Sequence, residues 1–225
     1  MKKFLFLYLI ALSPFFFAQN VVLNKVVKSH PNDDKVFYKI NPKSTPSEYL
    51  GEVEVQGFSD NDAKVFGMIY QKAKEIGANA FSYEPFEAVD GTLSKFDPIH
   101  YKLSLYYVST SDFPKEENMV YFISSPYKKQ TISINNDKKV FEPRTYTELK
   151  LKAGEIYTIS TRKLLGSSIK IAAQVNQPVQ YFQLSGASVN SNEYGNPGIN
   201  LKSGDIIRLE QSYGQFLTTI YQYFK

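Results

Sequence analysis

The chain of 225 residues contains no cysteine, so disulfides, thiolate catalysis, cysteine-based zinc sites and cysteine-ligated iron–sulfur clusters are excluded. Glycine and proline are sparse, with 12 and 11 residues, which excludes collagen-like and low-complexity classes. The net charge of +4 comes from 26 basic and 22 acidic residues spread along the chain, without a basic run that could follow a phosphate backbone. We therefore expect a folded protein that does not bind nucleic acid.

The first 18 residues have the pattern of a secretory signal peptide. Lys2 and Lys3 precede an apolar stretch over residues 4–17, which is shorter than the roughly 20 residues that span a bilayer. We place the cleavage site after Ala18. The alternative is that the segment stays as an anchor, because Phe16 is bulky where a small residue is usual.

The rest of the chain bears on where the exported protein resides. We expect no lipoprotein anchor, because the lipid needs a cysteine thiol. No second apolar run approaches membrane-spanning length, so we expect no membrane span in the mature chain. Export without cysteine is typical of bacterial envelope proteins rather than of small eukaryotic secreted modules. The sequence therefore predicts a periplasmic or secreted bacterial protein.

Residues 48–110 are predicted to form a small α+β domain, preceded by a lead-in segment over residues 19–47. Polar and apolar residues alternate over residues 48–56, which is typical of a half-buried strand. A helix is predicted from a capping-box-like Ser59-x-x-Asp62 to Gly77, and strands are predicted over residues 80–86 and 99–108. The helical stripe consists of Ala63, Phe66, Ile69, Tyr70, Ala73 and Ile76. Such a helix needs a sheet to cover, and the flanking strands supply one.

The segment from Ala73 to Ala80, Ala-Lys-Glu-Ile-Gly-Ala-Asn-Ala, lies between this helix and the next strand. It resembles the YbjQ-like superfamily of small bacterial domains, to which RcsF-like envelope proteins are related. The resemblance extends from Tyr49 to Val108. It implies the same small α+β fold, and a heavy-metal-binding or envelope role.

A polar, proline-containing stretch over residues 111–117 is predicted to be a linker, and beyond it the helical period disappears. Short strand-like runs separated by turn signals fill residues 118–225, the last of them over residues 216–223. This spacing predicts an all-β sandwich domain. The runs Val120-Tyr121-Phe122-Ile123 and Ile132-Ser133-Ile134-Asn135, with the Leu151-Lys152-Ala153-Gly154 turn, are similar to PEGA-like sandwich domains. That resemblance implies a role in shape and contact rather than in chemistry.

Two histidines are the only metal-binding nitrogens in the chain, His30 in a loop and His100 three residues after Asp97. On an extended strand Asp97 and His100 would point to opposite faces, so their spacing does not make them joint ligands. The sequence has no Gly-x-Ser-x-Gly elbow for a serine nucleophile. We therefore predict no metal ligands, no cofactor-binding residues and no cofactor.

Paired carboxylates are the remaining candidates for catalysis. Glu52 and Glu54 share a strand face, and Asp33 and Asp34 are adjacent in a loop; either pair could serve a hydrolase. Exposed charges on a half-buried strand explain the first pair equally well. We therefore predict no catalytic residues and no enzymatic activity.

Aromatic residues are the most unusual feature, with 17 Tyr, 17 Phe and no Trp. Tyrosines on a sandwich face can stack on sugars or anchor a protein partner, although strand propensity and core filling also explain them. Several lie near the C-terminus: Tyr213, Phe216, Tyr221, Tyr223 and Phe224. The leading hypothesis is an exported bacterial envelope protein that acts as a non-enzymatic binding or structural module, with an envelope protein or a glycan as partner. The alternatives are a glycan-binding module that uses exposed tyrosines, and a hydrolase that uses acidic residues.

Overall fold

A computed structural model describes residues 20–57, 59–87, 90–161, 166–184, 202–203 and 205–224. Over these ranges the chain is rich in β-structure and forms three sheets and two α-helices. The predicted signal peptide of residues 1–18 lies outside the described residues.

The first sheet has five strands in the order β1–β3–β5–β4–β2, antiparallel except for the parallel pair of β2 and β4. The strand predicted over residues 48–56 is confirmed, and those predicted over residues 80–86 and 99–108 are confirmed with slightly shorter bounds. The predicted lead-in segment supplies the two edge strands, β1 and β2. The bounds are β1 (Asn20–Val26), β2 (Tyr38–Lys39), β3 (Glu48–Gln56), β4 (Ala80–Glu84) and β5 (His100–Tyr107).

The predicted helix is confirmed as α1 (Asp62–Glu75), which packs against β1 and β3. Its cap is Asn61 rather than Ser59, because the Asn61 side chain accepts a hydrogen bond from the Lys64 amide at 3.0 Å. Gly77 follows the helix with φ of 77°, the left-handed conformation that glycine adopts without strain.

Two further sheets face each other in the C-terminal half. One has four strands in the order β11–β10–β7–β8, and the other has six in the order β13–β14–β12–β6–β9–β15. Phe122 and Phe182 of the six-stranded sheet share one buried cluster with Ile132, Phe141 and Ile159 of the four-stranded sheet, as expected for a β-sandwich. The bounds are β6 (Met119–Ile123), β7 (Gln130–Ile134), β8 (Asp137–Phe141), β9 (Thr145–Lys150), β10 (Ile156–Ser160), β11 (Ser168–Ala172), β12 (Gln180–Leu184), β13 (Lys202–Ser203), β14 (Ile206–Leu209) and β15 (Gln222–Tyr223).

The strand predicted over residues 216–223 is wrong, and the C-terminal half is therefore not all-β. Residues 211–220 form the helix α2 (Gln211–Ile220), and a strand follows only at β15. Phe216, Leu217 and Ile220 form one buried stripe along this helix. The Glu210 side chain caps it by accepting a hydrogen bond from the Tyr213 amide at 3.1 Å.

The two helices lie between the five-stranded and the six-stranded sheets. Helix α2 contacts α1, β2, β6, β12 and β15. Phe37 and Phe66 from the N-terminal half belong to the same hydrophobic cluster as Phe216, and the rings of Phe66 and Phe216 are 5.3 Å apart. One continuous core therefore draws on both sides of the predicted linker.

Candidate functional site

The five-stranded sheet carries a polar face on the side opposite the helices. Along β3, Val53 and Val55 point into the core, and the alternating Glu52 and Glu54 point outward. The cross-strand partners on β5 continue this face, and Glu84 of β4 lies across from Lys102. We call this surface the polar face; it consists of Glu52, Glu54, Gln56, Glu84, His100, Lys102 and Ser104.

Glu54 has two side-chain hydrogen-bonding partners on the polar face. Its Oε1 lies 2.7 Å from Nε2 of His100 and accepts a hydrogen bond from the Gln56 side chain at 2.7 Å. The hydrogen bonds from Gln56 and His100 lower the pKa of Glu54, although its side chain is only 15% exposed. The Phe86 ring lies 4.4 Å from the His100 ring and covers it in part. Glu54 is therefore an ionised acceptor at neutral pH.

Glu52 has partners of its own. The Tyr49 hydroxyl donates to Glu52 Oε1 at 2.8 Å, and Lys102 Nζ lies 3.7 Å from Glu52 Oε2. Burial and the hydrogen bond to Glu52 raise the pKa of Tyr49. Glu52 and Glu54 thus share a face, as the alternation predicts, but each is held by a separate set of donors. The hydrogen bonds and the ion pair hold both carboxylates in fixed positions on the polar face.

The two histidines lie in different places of the described structure. The Asp97 carbonyl accepts from the His100 amide at 3.2 Å, and the Asp97 carboxylate accepts from the Ile99 amide at 3.0 Å, so Asp97 is a turn residue. The His30 ring stacks on Tyr107 at 3.5 Å. In the described part of the chain, no group of three or more His, Asp or Glu side chains is placed to hold a metal ion.

The loop carboxylates have unequal surroundings. Asp34 accepts hydrogen bonds from Lys74 Nζ at 3.0 Å and from the Asn79 side chain at 2.8 Å, whereas Asp33 is exposed. Partial burial acts to raise the pKa of Asp34, but the hydrogen bonds from Asn79 and Lys74 outweigh it and lower that pKa. Asp34 therefore ties the loop before β2 to the end of α1.

A buried ionic group that the sequence reasoning missed joins α1 to residues of the C-terminal half. Asp62, 6% exposed, accepts from Arg144 Nη2 at 2.6 Å and from the Tyr221 hydroxyl at 2.7 Å. Burial raises the pKa of Asp62, while the guanidinium of Arg144 and the hydrogen bond from Tyr221 oppose that rise. Arg144 and Tyr221 lie 82 and 159 residues away from Asp62 along the chain, so local patterns could not identify the group.

The aromatic residues near the C-terminus divide between core and surface. Phe216 and Tyr221 are buried in the shared core, and Phe224 packs against Phe141 at 5.7 Å. Tyr213 contacts Phe66 at 5.3 Å. Tyr223 differs from these, because 48% of it is exposed.

Tyr223 ends a row of four tyrosines on the helix-facing side of the six-stranded sheet. Tyr181 of β12, Tyr121 of β6, Tyr146 of β9 and Tyr223 of β15 follow one another across the strands, with ring centroids 5.0, 6.2 and 5.5 Å apart. Tyr181 is buried, Tyr121 and Tyr146 are half-buried, and Tyr223 is exposed. We call this set the tyrosine row.

A scan of protein-family models, a search of curated proteins and a search of solved structures each gave no match. Neither α1 nor α2, the helices of the described ranges, is long and apolar enough to cross a membrane.

Proposed function

We propose that this chain is an exported bacterial envelope protein that acts as a non-enzymatic binding or structural module. The polar face is the observation that carries the proposal. Its carboxylates are fixed by neighbouring donors, as Glu54 is by His100 and Gln56, and this preorganises a surface for contact. General acid–base catalysis would instead need a carboxylate or histidine free to exchange a proton with a substrate.

We infer an α+β domain over residues 48–110 with a YbjQ-like resemblance, completed by the edge strands β1 and β2 of the preceding segment, and a PEGA-like β-sandwich over residues 118–225 that also carries α2. The position of the five-stranded sheet on one side of residues 111–117 and of the other sheets on the opposite side supports this division. The shared core indicates that the two parts are docked rather than independent.

Export is tested by fractionating a bacterium that expresses the full chain. We expect the protein in the periplasm or the medium, with a mature N-terminus at Gln19 found by mass spectrometry. A cytoplasmic protein that keeps Met1 would overturn the export proposal, and a membrane-retained chain that keeps Met1 would favour the anchor alternative.

Binding through the polar face is tested by co-sedimentation of the purified chain with isolated cell envelopes. We expect the chain to sediment with the envelopes, and the charge reversal Glu54→Lys to weaken that sedimentation. Asp33→Lys is a matched control, because Asp33 is exposed and lies outside the polar face. Absence of sedimentation, or turnover of glycosidic, ester or peptide substrates by the purified chain, would refute the proposal.

A further inference from the structure

We propose that the open end of the tyrosine row, formed by Tyr121, Tyr146 and Tyr223, binds an uncharged glycan chain. This inference rests on the proposed binding function and names a ligand class for a second surface, separate from the polar face.

The helix α2 determines how much of the row is open. Gly214 of α2 lies so close to Tyr181 that a Cβ atom there would be 2.2 Å from the ring, so the helix covers this end completely. The covering decreases across the sheet, since Tyr121 and Tyr146 are half-buried residues and Tyr223 is 48% exposed. Neighbouring rings support one another, as Tyr146 does Tyr223 in an edge-to-face contact at 5.5 Å. The rings are therefore preorganised, which lowers the entropy cost of binding.

Carboxylates border the exposed rings. Glu148 lies directly across from Tyr121 on the same face of the sheet, and the Tyr121 hydroxyl donates to Glu116 at 3.4 Å. Burial raises the pKa of Tyr121, and the negative charges of Glu116 and Glu148 add to that rise. In the described ranges Glu148 forms no salt bridge. The surface thus combines apolar rings with hydrogen-bond acceptors of negative charge.

This combination matches a sugar better than an apolar side chain of a protein partner. An apolar group covering the rings would take water from Glu148 without replacing its hydrogen bonds, which is unfavourable. A pyranose ring offers C–H groups to the tyrosine faces and hydroxyl donors to the carboxylates. Glu148, which forms no salt bridge in the described ranges, repels uronic acids and sulfated sugars, so the expected ligand is uncharged.

The test is calorimetric titration of the purified chain with hexasaccharides of cellulose, xylan, mannan and chitin, beside a hexagalacturonate and a lysine-rich peptide. We expect at least one uncharged hexasaccharide to bind, and Tyr223→Ala to weaken that binding roughly tenfold or more. Tyr127→Ala is the matched control, because Tyr127 is 67% exposed and lies outside the row. Glu148→Lys should also weaken binding of the uncharged sugar.

A second measurement uses the unmodified chain, so its result does not depend on whether the variants fold. Amide chemical shifts of the unmodified chain, titrated with the hexasaccharide that binds, should change at Tyr146 and Tyr223 and stay constant at Tyr127. The inference is wrong if no uncharged hexasaccharide binds, if the hexagalacturonate or the peptide binds more tightly, or if Tyr127→Ala has the effect of Tyr223→Ala. Envelope sedimentation that persists alongside such a result would leave the proposed function intact and remove this ligand alone.

Discussion

Single residues fix the junctions between elements, and Gly77 shows this most clearly. Its φ is 77°, and a Cβ atom would lie 1.6 Å from the His30 carbonyl oxygen. Gly154 has a φ of 80° but no heavy atom within 4 Å of such a Cβ atom. We expect Gly77→Ala to lower the free energy of unfolding by about 2 to 5 kcal/mol, from backbone strain and the clash together. Gly154→Ala should cost about 1 to 2 kcal/mol, from strain alone. Equal losses in urea titrations would show that the His30 contact does not matter.

The stability of the loop before β2 should depend on pH through Asp34. Its pKa in the folded chain is lower than the ordinary 3.8, so its stabilisation is present above pH 3.8 and is lost as the pH falls through the lower folded-state value. Because Asp34 is partly exposed, we expect a contribution on the order of 1 kcal/mol. Asp34→Asn should flatten the acid side of the stability curve, measured by urea unfolding, and the exposed Asp33→Asn should leave it unchanged. A curve altered equally by both variants would contradict this assignment.

At the scale of elements, strands and turns followed from local pattern, whereas α2 did not. The alternation over residues 48–56 predicted β3, and the Asn135-Asn136 turn has the positive φ values of 48° and 74° that favour a tight hairpin. Residues 216–220 are aromatic, β-branched or leucine, and their propensity favours a strand. Tyr213, Phe216, Leu217 and Ile220 nevertheless recur at helical spacing, and packing against both flanking sheets decided the conformation.

The polar face could be predicted in part, since Glu52 and Glu54 were placed on one side, but its partners on β4 and β5 depend on strand pairing.

The close packing of α2 on the six-stranded sheet gives an element-level prediction. Gly214→Ala normally favours a helix, yet here the new methyl group overlaps the Tyr181 ring. We expect the variant to lose about 1 to 3 kcal/mol of unfolding free energy. In a Tyr181→Ala background the same change should cost less, because the overlaps with Cγ and Cδ1 are removed and only the Cβ atom, 2.6 Å away, remains. Double-mutant cycles by thermal unfolding measure this difference between the two backgrounds. The same loss in both backgrounds would mean that α2 does not rest on Tyr181.

The described part of the molecule is a stack of layers, in which the helices between the five-stranded and six-stranded sheets join the segments on either side of the predicted linker. Phe66 and Phe216 meet in this middle layer, and the buried Asp62 bonds to Arg144 and Tyr221 across it. The composition and period of each half predicted separate sheets correctly. They could not show the shared core, because contacts between residues so distant in sequence leave no local pattern. The molecule should therefore unfold in one transition rather than two.

A substitution at Asp62 tests whether the two halves unfold together. Removing its carboxylate leaves the Arg144 guanidinium without its partner in a site that is only 26% exposed. We expect Asp62→Ala to lower the free energy of unfolding by about 2 to 3 kcal/mol, below the range for fully buried pairs because Arg144 regains some water. The neighbouring Asp60→Ala is the control, since Asp60 is exposed and only its backbone carbonyl bonds to Tyr127.

Far-ultraviolet circular dichroism and tyrosine fluorescence should give coincident melting curves for the unmodified chain, and Asp62→Ala should shift both curves together. Two separated transitions in the unmodified chain, or a shift seen by one probe alone, would show that the halves unfold as independent domains and that the buried group stabilises only one of them.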